Sequence, residues 1–287
     1  MFRRILTVIL VLSLFASAGC NNGTGEDNTA GDRLVNDSSK KRLLIGGSGS
    51  NLALTQKLAD RYMALNPEVD MIIPSSMGSG GGIKKTAEGI LDIGLVSRDI
   101  DPAEEKYKLI KIPYARVAVV MAVHPGVKIS GLTSEKIVAI YSGKIRNWRE
   151  VGGEDVPIKV LTRELGDSSR IILNKHIKGF AAIKESPGGI LFRTDQSMNE
   201  AIQSIPNAIG WADVGVIRTE HLNVKPIAID GLVPTDDAVQ SGKYPFIKEL
   251  SFVVKDRRDG EIKKFIDFVR SWEGKKIIVE NGYLPVD

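Results

Sequence analysis

Cysteine occurs once in the 287 residues, at Cys20. No disulfide can therefore form within the chain, and no cysteine pair can bind a metal or cycle between redox states. Histidine is almost as scarce: His124, His176 and His221 are too scattered for a local metal motif, so no metal site is expected. Aromatic residues make up 6% of the chain and do not alternate with basic runs, and the net charge is only +4. Nucleic acid is therefore not an expected partner. Beyond the N-terminus no apolar run suggests a membrane span. Also missing are the Gly-x-Ser-x-Gly nucleophile elbow, the phosphate-loop lysine motif and the His-Glu-x-x-His zinc helix. No two acidic residues are paired by sequence as an acid/base couple. The chain is expected to be neither an enzyme nor a cofactor carrier.

What is present begins with an export pattern. Arg3 and Arg4 precede the apolar stretch 5–15, which is too short to span a bilayer and leads into Ala16-Ser17-Ala18-Gly19-Cys20. Residues 1–20 therefore read as a signal peptide. Residues 21–41 are rich in Gly, Asn and Asp and nearly free of large apolar side chains, the composition of a flexible tether. As a coil it would span roughly 25 Å. The remaining stretch of about 245 residues suffices for one large or two medium domains.

Past the tether, strand-like apolar segments alternate with helical periodicity, which points to an α/β architecture. Strands are expected at 42–45, 71–73, 92–97, 116–123 and 158–161. Helices are expected after residue 50 up to Asn66-Pro67, at 135–141 and at 168–177, and one whose face carries Ile83, Ala87 and Ile90. The clearest amphipathic stripe is Ile262, Phe265, Ile266, Val269 and Trp272, expected to pack into the core. His124, before Pro125, reads as a strand-end residue, and Trp148 and Trp211 as packing residues.

Three Gly/Ser turns each run into an expected helix: GGSGSN (46–51), SSMGSGGG (75–82) and GDSS (166–169), the last just after Arg163. A helix start presents unpaired N–H groups and partial positive charge, so three converging starts would make an anion site. Each turn could equally be a plain N-cap, because Ser, Asn and Asp start helices well. The two roles are compatible.

The segments GGSGSNLALTQKLADRYMALNP and SSMGSGGGIKKTAEGILDIGLVSRDI resemble the opening of the substrate-binding proteins of bacterial phosphate ABC transporters, the PstS-like group. The likeness continues through residues 132–164, 197–211, 233–246 and 263–286, in family order. It implies a type II periplasmic-binding-protein fold, α/β and two-lobed, with the ligand cleft between lobes. Lobe 1 would be 42–122 plus 246–287 and lobe 2 would be 123–245, with hinges near Val123 and around 244–252. The function implied is an extracytoplasmic receptor, a monomer, that binds inorganic phosphate and hands it to the transmembrane subunits of an ABC permease. Alternatives are another tetrahedral oxyanion (sulfate, molybdate or tungstate), or a phosphate-sensing or adhesion lipoprotein without a transporter. Cys20 and its neighbours resemble a lipobox, although Ser17 stands where such boxes usually carry Leu. The family's lipidated cysteine, bearing an acyl chain such as palmitate, would anchor the body to the membrane.

Carried over by position, the resemblance puts Ser50, the backbone N–H of Asn51, Ser79, Gly80 and Ser97 on the ligand from lobe 1. From lobe 2 it puts Arg163, Asp167, Ser168 and Ser169 there. Guanidinium suits a tetrahedral oxyanion because its donors form a planar fork and its charge does not titrate away. The third turn departs from the family pattern Arg-Glu-x-Gly-Ser-Gly-Thr: Asp167 replaces a serine, while Ser169 keeps the hydroxyl of the threonine. Many family members carry an acceptor Asp where this chain has Ser97. Asp167 would then be either a relocated acceptor for the proton of hydrogen phosphate, which sulfate lacks, or simply the N-cap of the next helix. Arg98 and Asp99 would border the cleft, or form a salt-bridged edge.

Overall fold

A computed structural model describes residues 40–255 and 260–286. Cys20, the export pattern and most of the tether lie outside the described residues. In chain order the elements are β1 Lys41–Gly47, α1 Gly49–Leu65, β2 Val69–Ile72, α2 Gly78–Ala87, β3 Ile93–Val96, β4 Ile110–Val123, β5 Gly131–Leu132, α3 Ser134–Tyr141, β6 Lys159–Arg163 and α4 Ser168–His176. Next come β7 Ile190–Phe192, α5 Asp195–Ser204, β8 Ala208–Asp213, α6 Val214–Thr219, β9 Lys225–Ile229, α7 Asp236–Gln240, β10 Ile247–Val254, α8 Gly260–Arg270, α9 Trp272–Glu280 and β11 Leu284–Pro285. Neighbouring strands follow the path β2-β1-β3-β10-β4-β8-β6-β7. Pairing is parallel among β2, β1 and β3 and among β8, β6 and β7. It is antiparallel where β10 meets β3 and β4 and where β4 meets β8.

Two main hydrophobic cores lie along this path. One gathers Leu43, Ile45, Leu54, Leu58, Ile93, Tyr114, Val117, Leu250, Phe252 and Phe265. The other gathers residues 118–123 with Ile140, Trp148, Leu161, Leu173, Trp211, Tyr244 and Phe246. β4 belongs to both, because its run from Val117 to Val123 is buried throughout and pairs first with β10 and then with β8. A strand enclosed on both faces reads as a continuous apolar run. The return crossing is β10, whose Lys248 stands opposite Val117, where the cores divide.

Two expectations of the sequence fail at helix ends. α2 stops at Ala87, and Gly89, in the left-handed region at φ 76°, turns the chain so that Ile90 is 54% exposed. α8 likewise stops at Arg270. Ser271 caps a new helix by accepting a hydrogen bond from Gly274 N–H, which leaves Trp272 77% exposed instead of in the core. In both cases a residue in phase with the stripe lies past the point where the backbone leaves the helix.

Helices α1, α4 and α6 begin directly beyond the C-terminal ends of β1, β6 and β8. In open α/β sheets that end is where ligands bind. The approach of the elements is close: a Cβ on Gly47 would lie 2.2 Å from the Leu95 carbonyl oxygen, so only glycine lets β1 pack so tightly on β3.

Candidate functional site

The first and third Gly/Ser turns face one another across the division between the cores. Ser97, just after β3, has its Oγ 2.8 Å from Ser168 Oγ at the start of α4 and 2.6 Å from Ser48 Oγ before α1. The second turn joins through Ser79, whose Oγ accepts from Ser97 N–H at 3.2 Å. Ser50, Ser79, Ser97, Ser168 and Ser169 are all buried. The hydroxyls of several chain segments thus meet at one point.

Two residues of the sequence-based set stand apart from it. Asn51 donates its N–H to the Ser48 carbonyl, and its side-chain amide turns inward, donating to Tyr114 Oη at 3.0 Å and to the Val96 carbonyl at 3.3 Å. Its Oδ1 is buried without a hydrogen-bond partner. Gly80 borders the Arg98–Glu104 ion pair, in which two nitrogens of the guanidinium grip the two carboxylate oxygens at 2.7 and 2.8 Å. Arg98 and Asp99 form the salt-bridged edge: Asp99 pairs with Lys111 at 3.0 Å.

Arg163 ends β6 and is almost fully buried, its guanidinium 2.7 Å from Asp195 Oδ1 and 3.2 Å from Asp167 Oδ2. Burial works against its charge, but the carboxylates of Asp167, Asp195 and Glu164 outweigh burial and raise its pKa. Asp167 caps α4. Its Oδ1 accepts from Arg170 N–H at 2.9 Å and from Trp211 Nε1–H at 3.1 Å. Trp211 is therefore more than a packing residue, since it helps fix Asp167. Burial pushes the Asp167 carboxyl up to about 6, although Arg163 pulls the other way.

Asp195, in the first turn of α5, reaches over the start of α1. A Cβ on Gly49 would lie 2.4 Å from its Oδ2, and Gln196 Nε2 donates to the Gly49 carbonyl at 3.4 Å. Glycine at this position lets the two helix starts touch. Beside this contact a groove of about 550 Å³ runs between α1 and α5, lined by Leu52, Gln56, Ser75, Thr194, Ser197 and Glu200 among others.

Sequence reasoning missed three participants: Lys248, Asp213 and Asp195. Lys248 Nζ is buried 2.5 Å from Ser50 Oγ, 2.6 Å from Ser169 Oγ and 2.9 Å from Asp213 Oδ2. Burial raises the Asp213 carboxyl pKa, and Lys248 offsets part of the rise. A signal for Lys248 was available: Phe246, Lys248, Leu250 and Phe252 alternate, putting a lysine on the buried face of a strand. Nothing local marks Asp195 or Asp213.

Such a cluster is expensive. Burying an ion costs several kcal/mol even after relaxation, so ion pairs at this depth add little to stability. Perturbed, buried charges of this kind gather at functional sites. Hydroxyls, helix starts, a guanidinium and an ammonium together form a donor-rich cradle suited to an oxyanion.

A sequence profile of the PBP superfamily domain matches residues 23–273. The chain belongs to the PBP superfamily. Among its relatives in that superfamily, the phosphate-binding protein PstS of Bacillus subtilis is 27% identical over 98% of this chain and 93% of that protein. PstS of Borreliella burgdorferi is 26% identical over 99% of both. A solved structure from Clostridium perfringens, described as a phosphate ABC transporter substrate-binding protein with bound phosphate, superposes with a TM-score of 0.78. It has 29% identity and covers 86% of this chain and all of that one. An ABC-type phosphate transport receptor from Vibrio cholerae follows at a TM-score of 0.64 and 27% identity, over 84% of this chain and 99% of that one. The two-lobed α/β architecture is the one these superfamily members share.

Proposed function

We propose that the chain is an extracytoplasmic receptor that binds inorganic phosphate between two lobes and delivers it to an ABC permease. One observation carries the proposal: hydroxyl groups from segments beside both hydrophobic cores meet at 2.8 Å between Ser97 and Ser168, with the buried Arg163 at the end of β6, the strand that leads into the third turn. The relatives named as phosphate-binding proteins support phosphate as the anion. The expected lobe limits, 42–122 plus 246–287 and 123–245, are moved in this reading to 42–117 with 248–286 and 118–247, because residues 118–123 and Phe246 pack in the second core.

Ser50, Ser79, Ser97, Ser168 and Ser169 would donate hydroxyl hydrogens to the ligand, and the starts of α1 and α4 would add backbone donors. Arg163 would take two ligand oxygens once the anion competes with Asp195 and Asp167 for it. Asn51 serves this reading as a scaffold that ties α1 to Tyr114, and Gly80 as a neighbour of the cleft edge. Asp167 has one oxygen occupied by the cap and by Trp211 and the other by Arg163, geometry that supports capping and positioning of Arg163 over acceptance of a ligand proton. Binding followed by movement of the lobes, without turnover, is the proposed action. The export pattern and Cys20 support a lipid-anchored location outside the cytoplasm. No described helix is long and apolar enough to cross a membrane.

Calorimetric titration of the chain with phosphate, sulfate and molybdate tests the assignment. Phosphate is expected to bind most tightly. Tighter sulfate or molybdate binding would reassign the ligand, and no heat with phosphate would overturn the proposal.

A further inference from the structure

Lys248 is the most deeply buried cation of the cluster, its side chain 1% exposed. Lysine is almost never enclosed to this degree unless it is paired. Its ammonium has three hydrogens, and it has three close acceptors: Ser50 Oγ at 2.5 Å, Ser169 Oγ at 2.6 Å and Asp213 Oδ2 at 2.9 Å. Ser168 Oγ lies a little farther off at 3.3 Å. These partners come from the start of α1 in one core and from the start of α4 and the end of β8 in the other. Lys248 itself sits on β10 opposite Val117, on the strand pair that both cores share.

The electrostatics of this position are unusual. A helix N-terminus carries partial positive charge and favours an anion, yet the starts of α1 and α4 both meet an ammonium. Like signs are brought together, and Asp213 is the charge that offsets them. Asp213 in turn is in contact with Ser169 Oγ at 3.5 Å, so carboxylate, ammonium and hydroxyls form one closed set. An oxyanion entering among the hydroxyls would be attracted by the helix starts and by the ammonium alike. The serine hydroxyls can rotate from accepting the lysine hydrogens to donating to the ligand.

We propose that Lys248 is a second cationic contact for the bound oxyanion. Together with Arg163 it gives a tetrahedral oxyanion such as hydrogen phosphate two cationic partners, each shared with carboxylates already in place: Asp195 and Asp167 on Arg163, and Asp213 on Lys248. The inference rests on phosphate being the ligand, as argued above. It places the deciding charge on the crossing strand, so that anion capture acts where the two cores meet and not only on the opposed turns. Asp213 sets a limit on affinity, because its carboxylate competes with the ligand for the same ammonium.

The test is calorimetry with inorganic phosphate on the full chain carrying Lys248→Gln together with Asp213→Asn. This pair removes both charges and leaves no buried ion unmatched. Loss of a charge-assisted contact predicts binding about 10- to 100-fold weaker than wild type. A folded double variant binding within about twofold of wild type would overturn the inference. Asp213→Asn alone gives a second reading, and its contrast with the double variant isolates the lysine from the loss of the carboxylate. With Lys248 freed from its competitor and one negative charge gone from the site, phosphate is expected to bind several-fold more tightly. Weaker or unchanged binding by that variant would count against a ligand role for Lys248, whether or not the double variant folds. A wild-type chain that binds no phosphate would instead overturn the assignment of the ligand.

Discussion

Replacing Asp167 with Asn should change how stability depends on pH. The wild-type carboxyl is pushed from 3.8 up to about 6, chiefly by burial and against the pull of Arg163. An acid whose pKa is higher in the folded state binds more protons folded than unfolded between those two values. Stability therefore falls as pH rises through that window and levels off above it. With about 1.36 kcal/mol per unit, a shift of roughly two units is worth about 3 kcal/mol in full, of which about 2 kcal/mol falls between pH 4 and pH 7 because the unfolded carboxyl is already largely ionised at pH 4. Because the group is fully enclosed, solvent screening does not reduce the figure. Asn keeps an oxygen for Arg170 N–H and Trp211 Nε1–H, so the cap survives; its amide nitrogen meets the Arg163 guanidinium in place of Oδ2, a loss that offsets the variant at every pH and leaves the slope to report ionisation. Urea denaturation of both proteins in parallel from pH 4 to pH 7 is the assay. The difference in unfolding free energy, variant minus wild type, should grow by about 2 kcal/mol across the range. Titrating groups remote from Asp167 cancel in the difference. A difference that stays flat, or grows toward low pH, would refute the reasoning that burial outweighs Arg163.

Two further predictions concern contacts with simpler physics. Gly49→Ala would place a Cβ 2.4 Å from Asp195 Oδ2 and 3.0 Å from Asp195 Cβ, so the Asp195 side chain must shift from its place against Arg163; overpacking of this kind costs about 1–3 kcal/mol. Thermal melting should show the loss, whereas an unchanged melt would mean that the contact relaxes freely. Ser271→Ala removes the acceptor for Gly274 N–H at the start of α9 and should lower stability by about 1 kcal/mol in urea denaturation, with no change in anion binding.

The sequence was most legible where one physical requirement dominated a stretch of residues. The apolar run up to Val123, closed by His124-Pro125, read as a buried strand, and the Gly/Ser turns before apolar-periodic segments read as helix starts; the structure has both. Ser50, Ser168 and Ser169 stand at helix starts written in local turn chemistry, whereas their expected place on the ligand, like that of Ser97 and Arg163, came from the family resemblance and not from local spacing. Reading failed where the period of a stripe outlasted its helix: Ile90 and Trp272 keep phase with their neighbours but lie past a left-handed glycine and a new N-cap.

What the sequence by itself determined is most of the elements up to residue 177 and the amphipathic helix near the C-terminus, the places where helix starts offer N–H groups, and the one arginine standing before such a start; β8 and β10, which carry Asp213 and Lys248, were not among them. Each feature so determined depends on residues a few positions apart. Tertiary structure alone decided which charges meet. Lys248 reaches Ser50 and Asp213 across wide gaps in the chain, and Asp195 docks on Gly49 only because two helix starts face each other. Coulomb interactions depend on distance and burial in space, and neither is encoded in local spacing. The three turns could announce donors for an anion, but whether carboxylates already balance those donors was settled only when the two cores came together.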